Sequence, residues 1–298
     1  RAGDEIVVSV AEHHSNFVPW QRLCERLGLQ MKLIPVLASG SLDLEGLEAL
    51  VTERCRLVAV SHVSNVTGSV TDLKTVSRVA RQRGALLFVD GAQAVPHGPV
   101  DVQALDIDFY ALSGHKCYGP TGVGVLWVRD AVLQTLPPFL VGGGMIERVT
   151  VEGTRYLRGN RSFEAGTPPL VQAIGLGAAL EWLMGLPWPD IRQYEQALTA
   201  RVLQGLAAIE GLSLVGEPVS QGRAPIFSFT IEGCHSHDVC QVLDDCGVAL
   251  RGGHHCAQPL MDSLGLVATS RASLAVFNTR EDVDALLQGL QQTVELLR

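Results

Sequence analysis

The stretch Ile107-Asp108-Phe109-Tyr110-Ala111-Leu112-Ser113-Gly114-His115-Lys116-Cys117-Tyr118-Gly119-Pro120 decides how this chain is read. Its first six residues have the apolar and aromatic character of a strand, and the rest form a tight, glycine-rich loop. Lysine occurs at only Lys32, Lys74 and Lys116, and Lys116 alone stands in a turn between two strand-like runs. An amine so placed can form a Schiff base with a carbonyl, and a partly desolvated, cation-crowded site would push it toward its nucleophilic form. The alternative is an ordinary solvated surface lysine.

On both sides of this loop, β-branched apolar runs alternate with helical spacing. Strands are expected at Ile6–Val10, Met31–Val36, Arg56–Ser61, Ala85–Asp90, Ile107–Leu112 and Gly122–Val128, with helices at Pro19–Leu27, Leu44–Val51 and Asp72–Arg83. Thr71-Asp72 supplies a cap signal for the last of these. Strand, helix, strand predicts an α/β fold, a mostly parallel sheet flanked by helices, whose ligands lie beyond the carboxyl ends of the strands. The polar residues at those ends are His13 and His14, Asn65, Asp90 and Gln93, and Ser113, His115 and Lys116.

A strongly apolar helix from Pro169 to Met184 reads as a connector, followed by a long helix at Asp190–Ile209. Beyond it, short strands (Leu212–Val215, Pro225–Ile231, Val248–Arg251, Ala272–Phe277) mix with helices (Asp238–Asp245, Arg280–Leu297). This change of texture predicts a large domain over 1–184 and a smaller α+β C-terminal domain over 185–298. The length of 298 residues also favours two domains. A formal charge of −8 without a basic block argues against nucleic acid and anionic membrane as partners. No stretch has the length of a membrane span and the N-terminus lacks a signal-peptide pattern, so a soluble, cytoplasmic protein is expected. Seven irregularly spaced cysteines fit reduced thiols better than a disulfide framework.

Each candidate site residue has two readings. Asp90 either caps the turn that follows its strand or pairs with a protonated ring nitrogen, as pyridoxal phosphate requires. His13 and His14 project differently, which suits stacking on a flat cofactor better than metal ligation. Cys234, His235, His237, Cys240 and Cys246 lie close together, but Cys240 and His237 fall on a helical pattern where packing explains them, and no metal is expected. Cys256 differs, because it sits in the polar, glycine-flanked loop Arg251-Gly252-Gly253-His254-His255-Cys256-Ala257-Gln258-Pro259, where histidines and an arginine would favour its thiolate. Arg251 and Arg271 either clamp a carboxylate or are solvated surface charges.

Taken together, these motifs closely resemble the pyridoxal-phosphate-dependent class V aminotransferase family, in its cysteine desulfurase and selenocysteine lyase branch. The resemblance rests on Ala11-Glu12-His13-His14-Ser15-Asn16, Ser64-Asn65-Val66-Thr67-Gly68, Val89-Asp90-Gly91-Ala92-Gln93, Ser113-Gly114-His115-Lys116, Tyr118 to Gly122, Phe163 to Pro168 and Arg251 to Pro259. The short cysteine loop is similar to that of the second, SufS/CsdA-like group. The resemblance implies the fold type I of pyridoxal-phosphate transferases. It makes Lys116 the covalent anchor of pyridoxal 5′-phosphate and the catalytic base, Asp90 the partner of the ring nitrogen and Gln93 a ligand of the ring hydroxyl. His13 would stack on the ring and join in catalysis. Ser113 and His115 would hold the phosphate, and Thr167 would reach the phosphate of the other subunit of a homodimer. Asn65, next to the cofactor, and Arg271 would bind the substrate carboxylate, with Arg251 close by, and Cys256 would accept the sulfur.

The implied activity is removal of sulfur from L-cysteine, with selenocysteine or cysteine sulfinate as further substrates. The persulfide would pass to a sulfur-acceptor protein of the SufE-like type, for iron-sulfur cluster assembly or other sulfur metabolism. Members of the branch carry a Gly-Thr-Thr-type phosphate-binding turn ahead of this region, and nothing here matches it, so the expectation is a large domain lacking its N-terminal part. Cys117 stands where a larger apolar residue is common. Two other readings remain open: another class V enzyme such as an aminotransferase, which has no need of Cys256, and a non-catalytic metal- or sulfur-carrying scaffold.

Overall fold

The computed structural model describes residues 1–298. In the first half, β1 (Glu5–Ser9), α1 (Val18–Leu27), β2 (Gln30–Ile34), the single turn α2 (Leu47–Leu50), β3 (Cys55–Ser61), α3 (Leu73–Gln82), β4 (Leu86–Asp90), β5 (Phe109–Ser113) and β6 (Gly124–Val128) follow in order. They build one six-stranded sheet in the order β2-β1-β3-β4-β5-β6. All neighbouring pairs are parallel except β5 with β6. The ten residues from Gly114 to Val123 are too few for a crossover helix, so the chain returns antiparallel.

The alternation along the strands explains the two covered faces. Val7, Val58, Val60, Leu87 and Val89 point to one side, against Leu73, Val76, Val79 and Ala80 of α3. Their neighbours Ile6, Val8, Leu57 and Ala59 point to the other, against Phe17 and Cys24 at α1. Each Val, Leu, Ile or Phe among them contributes about 1.5–3 kcal/mol by leaving water. Asp72 starts α3 by accepting a hydrogen bond from Thr75 N at 3.2 Å, which confirms the cap signal.

The middle of the chain holds α4 (Asp130–Leu133), a hairpin of β7 (Ile146–Thr150) and β8 (Gly153–Tyr156), and α5 (Leu170–Met184). The hairpin was not expected. Its strands are exposed on both faces and so lack the apolar alternation that marks a half-buried strand. Helix α5 buries Leu176 and Leu183 and leaves Leu170, Val171 and Ile174 in solvent. No single helix is long and apolar enough to cross a membrane.

The last part consists of α6 (Trp188–Ala207), β9 (Leu212–Val215), β10 (Ile226–Ile231), α7 (Ser236–Asp245), β11 (Arg251–Gly253), α8 (Gln258–Ser263), β12 (Thr269–Ser273) and α9 (Arg280–Leu297). A four-stranded sheet in the order β11-β12-β10-β9 packs against α6, α7 and α9 over its own core, which includes Phe227, Phe229, Leu198, Leu243 and Leu290. Two expectations were displaced. The apolar run Val248–Arg251 contributes only Arg251 to a strand, since Val248 and Leu250 pack into the core instead. The run Ala272–Phe277 starts its strand earlier, at Thr269, because the buried Thr269 and Ser270 pair with β11. Leu44–Val51 shrinks to the one turn of α2.

Ahead of β5, Asp108 is fully buried and accepts from Arg81 Nη2 at 2.7 Å, Arg129 Nε at 3.0 Å and Leu87 N at 2.9 Å. This carboxylate ties α3, β4 and the end of β6 together. Asp108→Ala leaves the Leu87 amide without its acceptor and the two arginines with Asp106 as their one remaining carboxylate. Because the arginines keep partial access to water, an expected loss of about 2–4 kcal/mol lies at the lower end for a broken buried pair. Urea unfolding checks this, and a loss below about 1 kcal/mol, the range of a surface pair, would contradict it.

Candidate active site

The parallel order of β1, β3, β4 and β5 sets their carboxyl ends side by side, and the predicted residues stand there. Asp90 closes β4, and its Oδ1 accepts from Ala92 N at 2.9 Å. Capping of the turn is therefore real, and it engages one carboxylate oxygen. The next residue, Gly91, lies against the side chain of Tyr110, where any Cβ would clash with the ring. Tyr110 in turn meets His62 Nδ1 at 3.0 Å, and burial pushes His62 down to about 4.

Lys116 ends the short 3-10 turn Gly114–Lys116 after β5. Burial lowers its pKa; the charge of Asp90 opposes the shift, and Arg271 and Arg251 add to it. Lys116 is half-buried, not a fully solvated surface lysine. His13 is lowered by burial and then by Lys116, with Asp90 acting the other way. Its Nδ1 accepts from Ser15 N at 3.1 Å, fixing the imidazole at the end of β1.

Beneath His13, Glu12 is fully buried, and burial raises its pKa to about 7. It accepts hydrogen bonds from Ser9 Oγ, from Asn16 Nδ2 at 2.5 Å, and from Ser61 N and Oγ at 2.8 and 3.0 Å. The turn that carries His13 is thereby pinned to the end of β3. Sequence reasoning gave Glu12 no role. Its signal was a carboxylate among small and apolar residues at a strand end, where burial demands several donors.

The second sheet delivers the remaining groups. Arg251 on β11 is directly opposite Arg271 on β12, so both side chains share one face. Arg271 Nη1 donates to Asn65 O at 2.8 Å, while its buried Nε has no partner. Burial, and then Arg251, lower Arg271 to about 10, with Cys256 opposing. Arg251 Nη2 lies 3.8 Å from Cys256 Sγ. Asn65 Nδ2 donates to His255 O at 2.7 Å, so the asparagine amide is spent on the cysteine loop.

The structure thus gathers His13, Asn65, Asp90, Lys116, Arg251, Cys256 and Arg271. Gln93 and Ser113 are half-buried in the same turns and His115 is exposed beside Lys116, without hydrogen bonds to the others. Thr167 is exposed in the loop before α5. The rings of His13 and His14 are 6.3 Å apart and tilted by 47°. No group of three His, Cys, Asp or Glu side chains is arranged to hold a metal ion, and all seven cysteines are free.

The donor set fits pyridoxal phosphate: a half-buried amine of lowered pKa, a carboxylate with one oxygen committed, an imidazole face, and an arginine with an unpartnered Nε. The side-chain-free Gly91 also keeps the backbone beside Asp90 close to Tyr110.

The model of the aminotransferase class-V family matches residues 1–286. A protein named cysteine desulfurase from Escherichia coli O127:H6 (strain E2348/69 / EPEC) is 50% identical over 298 residues, spanning 100% of this chain and 73% of its own length. One of the same name from Shigella sonnei (strain Ss046) is 49% identical with the same coverage. Among solved structures, that of the cysteine desulfurase CsdA (S-sulfonic acid) from Escherichia coli superposes with a TM-score of 0.95 at 41% identity, covering 100% of this chain and 74% of that one. The apo structure of a cysteine desulfurase from Thermococcus onnurineus NA1 gives 0.95 at 39%, with the same coverage.

A lysine whose pKa is lower folded than unfolded costs stability while both states are protonated, and the cost fades as pH rises through the folded value toward 10.5. In the cofactor-free chain, Lys116→Met should therefore unfold at a higher temperature than the parent at pH 7, with the gap narrowing by pH 10. A gap of constant size would contradict the depressed pKa of this half-buried amine.

Proposed function

The chain belongs to the aminotransferase class-V family, and on that premise we propose that Lys116 and Cys256 divide between them the work of a cysteine desulfurase. The activity is the pyridoxal 5′-phosphate-dependent removal of sulfur from L-cysteine, giving L-alanine and an enzyme persulfide. The observation that carries the assignment is the attachment of the Cys256 loop, from the second sheet, to the strand-end rim that holds Lys116.

Lys116 is the covalent anchor of the cofactor, with Asp90 at the ring nitrogen, Gln93 at the ring hydroxyl and His13 against the ring. Ser113 and His115 hold the phosphate, and Thr167 serves the second subunit of a homodimer. Its exposure, and that of Leu170, Val171 and Ile174 on α5, support such an interface. When bound, pyridoxal phosphate supplies an electron-withdrawing ring that accommodates the electron pair released at the substrate's α-carbon.

The protein's own groups do the rest. Arg271 takes the substrate carboxylate bidentately through its unpartnered Nε side, with Arg251 nearby and Asn65 O fixing its orientation. Lys116 Nζ, driven toward the neutral amine by burial, takes the proton from the α-carbon. Cys256 Sγ then attacks the substrate sulfur. A sulfur-sulfur bond forms, the carbon-sulfur bond breaks with its electron pair left on carbon, and a proton added at that β-carbon, together with the return of a proton to the α-carbon, completes alanine. His13, fixed by Ser15 N and held toward its neutral form by burial, presents an imidazole able to carry a proton between these groups.

The persulfide passes to an acceptor protein of the SufE-like type. Selenocysteine and cysteine sulfinate enter the same site, releasing selenium or sulfite. The large domain over 1–184 holds the cofactor, the domain over 185–298 presents the cysteine, and the reaction proceeds in the cytoplasm, where free thiols persist.

Two variants test the division of labour. Lys116→Ala should abolish the visible absorbance that develops when pyridoxal phosphate is added. Cys256→Ser should keep that absorbance and lose persulfide formation from cysteine by about a hundredfold or more. Absorbance that survives in the first variant, or undiminished persulfide in the second, would overturn the corresponding role.

A further inference from the structure

The loop that carries Cys256 is held by a residue with no role so far. His14 follows His13 in the turn after β1. Its backbone N donates to Cys256 O at 2.7 Å. Its Nε2 accepts from Gln258 N at 3.2 Å, across 244 positions of sequence. That amide opens α8 and has no partner within the helix. The ring of His254 lies 5.6 Å from that of His14, and His254 Nδ1 accepts from Cys256 N at 3.1 Å. On the other side of the loop stands the bond from Asn65 Nδ2 to His255 O.

Between these attachments, His255 and Cys256 take φ of +53° and +56°. Two consecutive left-handed residues bearing a Cβ are unfavourable and persist only where their surroundings hold them. His255 is anchored through its own ring, Nε2 to Thr269 Oγ1 at 2.8 Å. The Cys256 side chain has only the long contact of its Sγ with Arg251 Nη2 at 3.8 Å. Its backbone conformation depends on neighbours, and His14 holds it at two points, at its carbonyl and at the amide two residues on.

We propose that His14 is a positioning residue for sulfur transfer, clipping the Cys256 loop to the strand-end rim through the Cys256 carbonyl and the Gln258 amide. The catalytic consequence rests on Cys256 being the sulfur acceptor; the clip itself does not. A thiolate that must meet a substrate sulfur in line gains much from a fixed backbone, since displacement by about 1 Å can cost on the order of a hundredfold in rate.

The experiment uses the full chain loaded with pyridoxal phosphate and compares the parent with His14→Phe, which fills the space without an acceptor, and His14→Gln, whose Oε1 restores one. Amide hydrogen exchange over residues 256–258, the alkylation rate of Cys256 by iodoacetamide, cofactor absorbance and persulfide formation are read together. His14→Phe should exchange about tenfold faster there, change the alkylation rate several-fold and form persulfide about tenfold more slowly, with absorbance retained. His14→Gln should recover part of each. If His14→Phe does not fold, His14→Leu replaces it with the same expectations.

Parental exchange and alkylation in the variant lacking an acceptor would overturn the clip. Faster exchange with unchanged persulfide formation would overturn its role in positioning, and lost absorbance would place His14 in the cofactor site instead. Persulfide undiminished in Cys256→Ser would remove the acceptor assignment while leaving the exchange result to decide the clip by itself.

Discussion

Everything at this site depends on the side-by-side, parallel alignment of β1, β3, β4 and β5. A parallel pair needs a crossover, and each crossover, helical or not, returns the chain so that the next strand ends on the same edge. The edge therefore collects loop residues that are distant in sequence, among them His13, Asn65, Asp90 and Lys116. Strand alternation sends the rest of each strand into one of two apolar layers, so the rim rests on a rigid base. The antiparallel β6 follows from the shortness of the Lys116 loop itself.

Burial does the chemical tuning. Lys116 and His13 are both shifted toward their neutral forms by lost solvation, and the two arginines of the second sheet push Lys116 in the same direction. Asp90 acts against both shifts, and so it limits how far they go. Glu12 supplies stiffness beneath them through its four donors. The second sheet brings two arginines and a thiol to the rim made by the first, and Asn65 and His14 are among the contacts that join the two.

Much of this was legible in the sequence. The alternating runs placed every strand of the first sheet to within about two residues, as expected where one period dominates. Lys116, Asp90, Cys256 and the arginines each had a plain structural reading alone, and stood out only together, through their places at strand ends and loops and through the family resemblance of the motifs that carry them. What escaped was written in contacts rather than in patterns. The exposed hairpin β7–β8 has no buried face to impose alternation, and β12 begins with Thr269 and Ser270, polar residues buried only because β11 pairs with them. His14 looked like a spare neighbour of His13, since its partners Cys256 and Gln258 lie at the far end of the chain.

The central claim is that one amine, the half-buried Lys116, carries the cofactor. With three lysines in the chain, it reduces to a choice of site. The most direct measurement is borohydride reduction of the protein mixed with pyridoxal phosphate, followed by peptide mass spectrometry. The account predicts a pyridoxyl adduct on the peptide containing Lys116. An adduct confined to Lys32 or Lys74, or none at all, would contradict it.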